Sequence, residues 1–408
     1  MESLLRILLY TTTFTIPLEW YFSVGHVSIT RVLLAVVLGL SLLNVLMSLR
    51  VQRPMAMHWL ALSFVGWSTF TLAWTLDPGQ GMSLTLKYVL YIGFVFAMWK
   101  LVRTERELHV ILGSYLWGCF CLVALLLVNY LTGAVYDPGA SYTRYAVEGM
   151  NPNLPAILIS TGIPVAWYLT ANDEYRLFRV LFLPAALFCV VISGSRTALI
   201  ITLLALAYCV HPIISRSRRS ARLIAAALVI ITIGIFVAIP DAHWSRLALL
   251  LPDVAQERDY TNPRFPIWIA GLDVALDDPF FGVGAGSFHE AISERLGYSI
   301  GAHNTFLAVF SETGAIGLGL FLFVVATLGL SVARQRSRDA VFCVILLSMW
   351  FLAANSFNYV DYTYTWLIFG LVLAASRRHS GAGVRTVSKG NATSRRYRAV
   401  AVPLHSEK

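Results

Sequence analysis

Apolar runs of about twenty residues recur from one end of this chain to the other, and they leave few folds open. Each approaches the roughly 20 residues that an α-helix needs to cross a hydrocarbon core about 30 Å thick. In lipid every backbone N–H and C=O must be paired internally, so spanning segments of this length are helices. Only 13% of the 408 residues are charged and 57% are hydrophobic, whereas a soluble protein carries about a quarter charged residues. The expected fold is all-α: one polytopic membrane domain over 1–380, with about 12 transmembrane helices and one large outer loop that contains short helices. The spans fall at 4–22, 27–49, 55–75, 82–102, 108–131, 153–170, 177–193, 197–214, 222–240, 304–333, 340–358 and 363–376. The first run feeds straight into further spans, so no cleavable signal peptide is expected.

A net charge of +9 raises the question of nucleic acid, and its distribution answers against it. Arg6, the connections around Arg50, Lys100, Arg176, Arg216 and Arg334, and the tail from Arg377 onward hold all but eight of the 31 lysines and arginines. By the positive-inside rule that side is the cytoplasm, and it holds both termini. The 381–408 tail, rich in Gly, Ser and Arg, reads as a basic, disordered cytoplasmic segment. Cys119, Cys121, Cys189, Cys209 and Cys343 all sit inside apolar runs, as small core residues and not as disulfides or metal ligands. No zinc-type cluster and no nucleophile elbow is present, so neither a metal nor a cofactor is expected.

The eight basic residues left on the outer side or within a span are Arg31, Lys87, Arg144, Arg196, Arg246, Arg258, Arg264 and Arg295. Arg196 lies in the very short turn Ser193-Gly194-Ser195-Arg196 between two apolar spans. A charge there is costly without a partner. It suits a clamp for phosphate, because guanidinium pairs bidentately and stays charged; the plain alternative is snorkelling to headgroups. Arg264, in Asn262-Pro263-Arg264-Phe265-Pro266, is held by two prolines in the long outer loop, about 241–302. It too suits an anion, or else pairs with Glu257 or Asp259. Arg144, Arg246, Arg258 and Arg295 read as solvated loop charges. Pro266 marks a helix start, and the apolar stretch Ile267–Leu276 with Trp268 reads as a helix lying in the interface.

His303-Asn304 opens the long apolar run after that loop. A histidine at a helix N-terminus is kept neutral and is then able to accept a proton as a general base. On a helical wheel His303, Phe310, Gly314 and Gly317 fall on one stripe, where glycines allow a neighbouring helix or lipid chain to approach closely. Glu312 falls on the opposite side and cannot orient His303. Plain helix packing would also account for both glycines. Gly282-Val283-Gly284-Ala285-Gly286 reads as a tight outer turn and not a phosphate loop. Asp277-Asp278 reads as a helix end, Asn151-Pro152-Asn153 as a cap, and Asp361 as a candidate to face the site.

His303, Asn304, nine residues, then Gly314-x-x-Gly317 resembles the signature of the O-antigen ligase and polymerase superfamily of bacterial membrane glycosyltransferases. Pro279–Gly284 resembles the approach to that signature, and Arg196 and Arg264 resemble the superfamily's two outer arginines. The resemblance implies an O-antigen ligase of lipopolysaccharide biosynthesis in the bacterial inner membrane, its active site periplasmic. The donor it implies is O-antigen on undecaprenyl pyrophosphate and the acceptor a sugar hydroxyl of lipid A-core. It implies that His303 takes the acceptor proton, that Arg196 and Arg264 hold the pyrophosphate, and that Asn304, Gly314 and Gly317 support them, in an inverting, metal-independent reaction. The enzyme is expected to be a monomer among membrane lipids. An O-antigen polymerase or a protein O-oligosaccharyltransferase would share the chemistry. A lipid-linked sugar flippase would instead call for charge buried in mid-span, for which Glu312 is the main candidate.

Overall fold

The computed structural model describes residues 1–24, 27–48, 53–137, 143–170, 176–215, 264–335 and 337–381. The described helices are α1 Glu2–Thr15, α2 Ile29–Ser48, α3 Ala56–Phe70, α4 Pro78–Leu101, α5 Glu105–Leu131, α6 Asn153–Leu169, α7 Arg176–Ile192 and α8 Arg196–Ser215. They continue as α9 Arg264–Asp277, α10 Phe288–Leu296, α11 Thr305–Ala333, α12 Arg338–Ala354 and α13 Thr363–Gly381. A two-rung β-hairpin, β1 Ser23–Val24 with β2 Val27–Ser28, is the one sheet among the described residues. Every expected span meets a described helix except 222–240, which lies outside the described residues. So do 241–263 of the expected loop, with Arg246 and Arg258, and 382–408 of the tail. Among the described residues four helices, α2, α4, α5 and α11, are long and apolar enough to cross a membrane.

Local chemistry sets several helix starts. Asp77 accepts from the Gln80 N–H with Pro78 at the first helical position of α4, Thr104 and Glu107 form a capping box at α5, and Ser337 accepts from the Ala340 N–H at α12. Each satisfies N–H groups that the first turn leaves orphaned.

The shortest apolar run, 363–376, becomes the hub. Trp366, Leu367, Phe369 and Val372 of α13 are fully buried, as expected of a helix apolar on all sides. It packs on α4 and α12, while α6 packs on α5, α7 and α8, and α3 on α11. A second, smaller core joins α9, α10 and the start of α11: Ile267 and Val274 of α9, Phe288 and Ile292 of α10, then Ala302 and Ala308. The opposite face of α9 exposes Phe265, Ile269, Leu272 and Leu276, a helical stripe consistent with the interfacial reading.

Candidate functional site

His303 stands one residue outside α11. Asn304 is the N-cap: its Oδ1 accepts from the N–H groups of Phe306 at 2.9 Å and Leu307 at 3.1 Å. Behind the cap, His303 has φ 49°, the one positive φ outside glycine among the described residues. Such a backbone is sparsely populated and tends to persist where surrounding structure fixes it. Two anchors do so here. Trp268 Nε1 donates to the Ala302 carbonyl at 3.0 Å. Thr305 Oγ1 donates to the Phe357 carbonyl and accepts from the Tyr359 N–H, each at 2.8 Å. The α12–α13 connection is thereby buckled to the start of α11, with the Phe357 ring 5.6 Å from the imidazole.

Burial is the main cause that holds the His303 ring neutral, with the Arg264 guanidinium second and His289 third; together they push its pKa down to about 4. Arg264 is already helical in α9, so the helix does not start at Pro266. The structure therefore brings Arg264 within electrostatic reach of His303. It also brings His289 of α10, whose Nδ1 lies 3.2 Å from Ser299 Oγ and whose own pKa burial lowers. Sequence reasoning missed His289, since nothing local distinguishes it from a surface histidine of an amphipathic helix.

Below His303 the wheel does not continue. Gly314 has φ 64° and ψ −172°, which breaks α11. His303 and Gly314 both being non-helical, the single stripe expected from His303 through Gly314 to Gly317 is not formed. The freed backbone groups pair with the Pro279–Gly284 turn: Val283 N–H donates to the Ser311 carbonyl at 2.9 Å, Gly284 N–H to the Glu312 carbonyl at 2.9 Å and Ala315 N–H to the Pro279 carbonyl at 2.8 Å. Trp67 Nε1 donates to the Thr313 carbonyl at 2.8 Å, and Trp74 Nε1 to the Gly282 carbonyl at 2.9 Å. A Cβ on Gly314 would overlap the Phe280 carbonyl. Gly314 thus serves a backbone crossing, which only a glycine at positive φ permits. Gly317 is plain packing, tight against Thr313 and Trp67. Glu312 is buried and accepts from the Phe288 N–H at 3.4 Å, at the start of α10, so it does not reach His303.

Arg196 opens α8 after the Ser193-Gly194-Ser195 turn, where Gly194 has φ 60° and Ser195 Oγ accepts from the Ala198 N–H at 3.3 Å. This turn lies at the same end of the bundle as His303: Gly149, just before α6, faces the Trp20 carbonyl, and the Trp20 ring lies 5.7 Å from Tyr362 in the α12–α13 connection. Arg144 corrects the reading as a solvated charge. It is only 7% exposed; its Nε donates to the Ser193 carbonyl at 2.8 Å and its Nη2 to Asn153 Oδ1 at 3.0 Å. Arg144 therefore braces the turn that carries Arg196 against the start of α6. Arg295 is likewise paired, with Asp277 at the end of α9. Asp361 lies in the α12–α13 connection, where burial pushes its carboxyl up to about 6 against the pull of Lys87. Asn358 Oδ1, Tyr359 OH and Asp361 Oδ1, all in this connection, are buried without a hydrogen-bond partner in the structure. Leaving such a group unpaired costs about 1–3 kcal/mol, so the set marks ground suited to a polar ligand.

Residues 181–322 match the family model described as O-antigen ligase. The match covers about a third of the chain and supports an O-antigen ligase/polymerase-like family for that segment. It runs from within α7 to within α11 and takes in Arg196, Arg264, His303, Asn304, Gly314 and Gly317. A comparison with curated proteins gives no match.

Proposed function

We propose that the protein is an O-antigen ligase. It transfers O-antigen from undecaprenyl pyrophosphate to a sugar hydroxyl of lipid A-core at the periplasmic face of the inner membrane. The observation that carries this reading is a neutral His303 held on a strained backbone beside the Arg264 cation, inside the family-matched segment. His303 takes the acceptor proton as the hydroxyl oxygen bonds to the anomeric carbon. The bond from that carbon to the pyrophosphate oxygen breaks, and its electron pair leaves on the phosphate. Arg264 and Arg196 stabilise that growing charge, as arginines do in place of a metal. One displacement inverts the anomeric carbon, and the product is lipid A-core bearing O-antigen.

The carboxyl that a flippase would need in mid-span does not support that alternative, because Glu312 accepts from a backbone N–H of α10. The test is ligation by the purified protein in proteoliposomes with lipid-linked O-antigen and lipid A-core, without nucleotide and with EDTA present. O-antigen should move onto lipid A-core. Longer lipid-linked glycan with no lipid A-core product would make the enzyme a polymerase; dependence on added Mg²⁺ would overturn the role given to the arginines. Arg196→Lys should lose at least about tenfold, since a point charge does not reproduce the bidentate fork.

A further inference from the structure

The end of the bundle away from His303 carries a second feature. α2 and α3 both pack on α4 and leave between them a cleft of about 440 Å³. Leu38, Leu42, Leu62, Val89 and Phe96 line its length, and Trp99 and Lys100 line it at the C-terminal end of α4. Its place relative to the candidate site follows from α4. Gly81, near the start of α4, abuts the carbonyl of Ala285 in the outer turn. Lys100 is nineteen residues further on, roughly 28 Å at 1.5 Å per residue. That is close to the full hydrocarbon thickness, so the cleft occupies the half of the membrane remote from His303.

The Lys100 end is rich in cations. Arg53, next to lining residue Pro54, is exposed, and Arg377 stacks over the Trp99 ring at 4.7 Å. Neither Lys100 nor Arg53 is paired with a carboxylate among the described residues; nearby Glu107 and Glu105 are taken by Arg6 and His109. Trp99 Nε1 is buried without an acceptor. His58, packed on Trp99 at 4.7 Å and on Phe96 at 4.1 Å, uses Nδ1 to accept from the Met55 N–H. Its other nitrogen, Nε2, is then the one left to carry the hydrogen of the neutral ring, and it too is buried without a partner. Positive charge at one end of an apolar cleft calls for a ligand with an acyl chain and an anionic head.

We propose that this cleft is a binding site for an anionic phospholipid of the leaflet remote from the candidate site, one acyl chain lying between α2 and α3 and the phosphate resting on Lys100 and Arg53. The site is independent of the chemistry at His303. Juxtamembrane cations favour anionic lipid by about fivefold each. The full-length protein would be placed in nanodiscs of equal phosphatidylglycerol and phosphatidylethanolamine, then extracted mildly and weighed by native mass spectrometry. Retained phosphatidylglycerol should exceed phosphatidylethanolamine at least about fivefold in the wild type. Lys100→Gln with Arg53→Gln should bring the ratio near one. Ser41→Phe, which fills the cleft from α2, should lower retention of both lipids. Three outcomes would overturn the proposal: equal retention in the wild type, a ratio unmoved by the paired Gln changes in a protein that unfolds at the wild-type temperature, or undecaprenyl pyrophosphate as the retained lipid.

Discussion

The two halves of α11 share one helix and obey different physics. Above the break, Thr305 to Thr313 are fastened by backbone and polar bonds. Thr305 holds the α12–α13 connection, Ser311 Oγ donates to the Gly271 carbonyl at 2.9 Å, and the Ser311, Glu312 and Thr313 carbonyls serve the outer turn and Trp67. Below it, Gly317, Phe321, Val324, Leu328 and Val332 form one buried stripe, while Leu322, Phe323 and Leu330 are exposed. That half is an ordinary apolar anchor whose side chains alone decide its contacts. Gly314 divides a hydrogen-bonded support beneath His303 from an apolar half held by side chains alone, and each half has a substitution that tests the division.

The largest effect belongs above the break. His303→Ala should lower transfer by about 10²–10⁴-fold, the usual contribution of a positioned general base, with thermal stability near that of the wild type. Initial rates in the proteoliposome assay measure it; near-normal ligation would take the base away from the upper half. Gly314→Ala comes next. An alanine at φ 64° adds strain of about 1–3 kcal/mol, and its Cβ overlaps the Phe280 carbonyl, so the outer turn must separate from α11. A fall of several degrees in the unfolding temperature, with loss of transfer, is the expected result. Wild-type stability in that variant would mean that the crossing is not what the glycine is for.

A smaller and reversible effect concerns pH. The pKa of His303 is depressed to about 4, so the neutral, base-competent ring is retained above that value and lost as pH falls through it. The rate kcat/KM should stay level from pH 7 to about 5 and decline below. A decline centred near 6.5, the ordinary value for histidine, would show that the buried, Arg264-facing environment of the upper half is not that of the working enzyme.

The sequence reveals the lower half better than the upper. Apolar length and the Asn304 cap locate α11 to within a residue, and the charge pattern singles out Arg264 and Arg196 before any fold is known. The wheel from His303 to Gly317 fails because it assumes one unbroken helix. The break depends on a partner, the Pro279–Gly284 turn, that lies across the fold and supplies the hydrogen bonds α11 gives up. Arg144 is misjudged for a similar reason. Its acceptors, the Ser193 carbonyl and Asn153 Oδ1, come from segments on either side of the α6–α7 hairpin, and no local pattern announces a buried arginine. The hub helix α13 shows the reverse case: its run is short for a span, and only packing reveals it as the most enclosed helix.

The smallest expected effect lies five residues below the break. Gly319 is helical, and a Cβ added there meets nothing within 4 Å. Alanine is the better helix former by up to about 1 kcal/mol, a value measured in water and taken here as an upper limit. Gly319→Ala should therefore leave transfer unchanged and the unfolding temperature equal or slightly raised. Two glycines in one helix would then differ in sign on the same substitution, because one stands where backbones cross and the other faces open space. If Gly319→Ala lost stability or transfer to the extent of Gly314→Ala, the lower half would be part of the working site, and the line drawn at Gly314 would have to move toward the middle of the membrane.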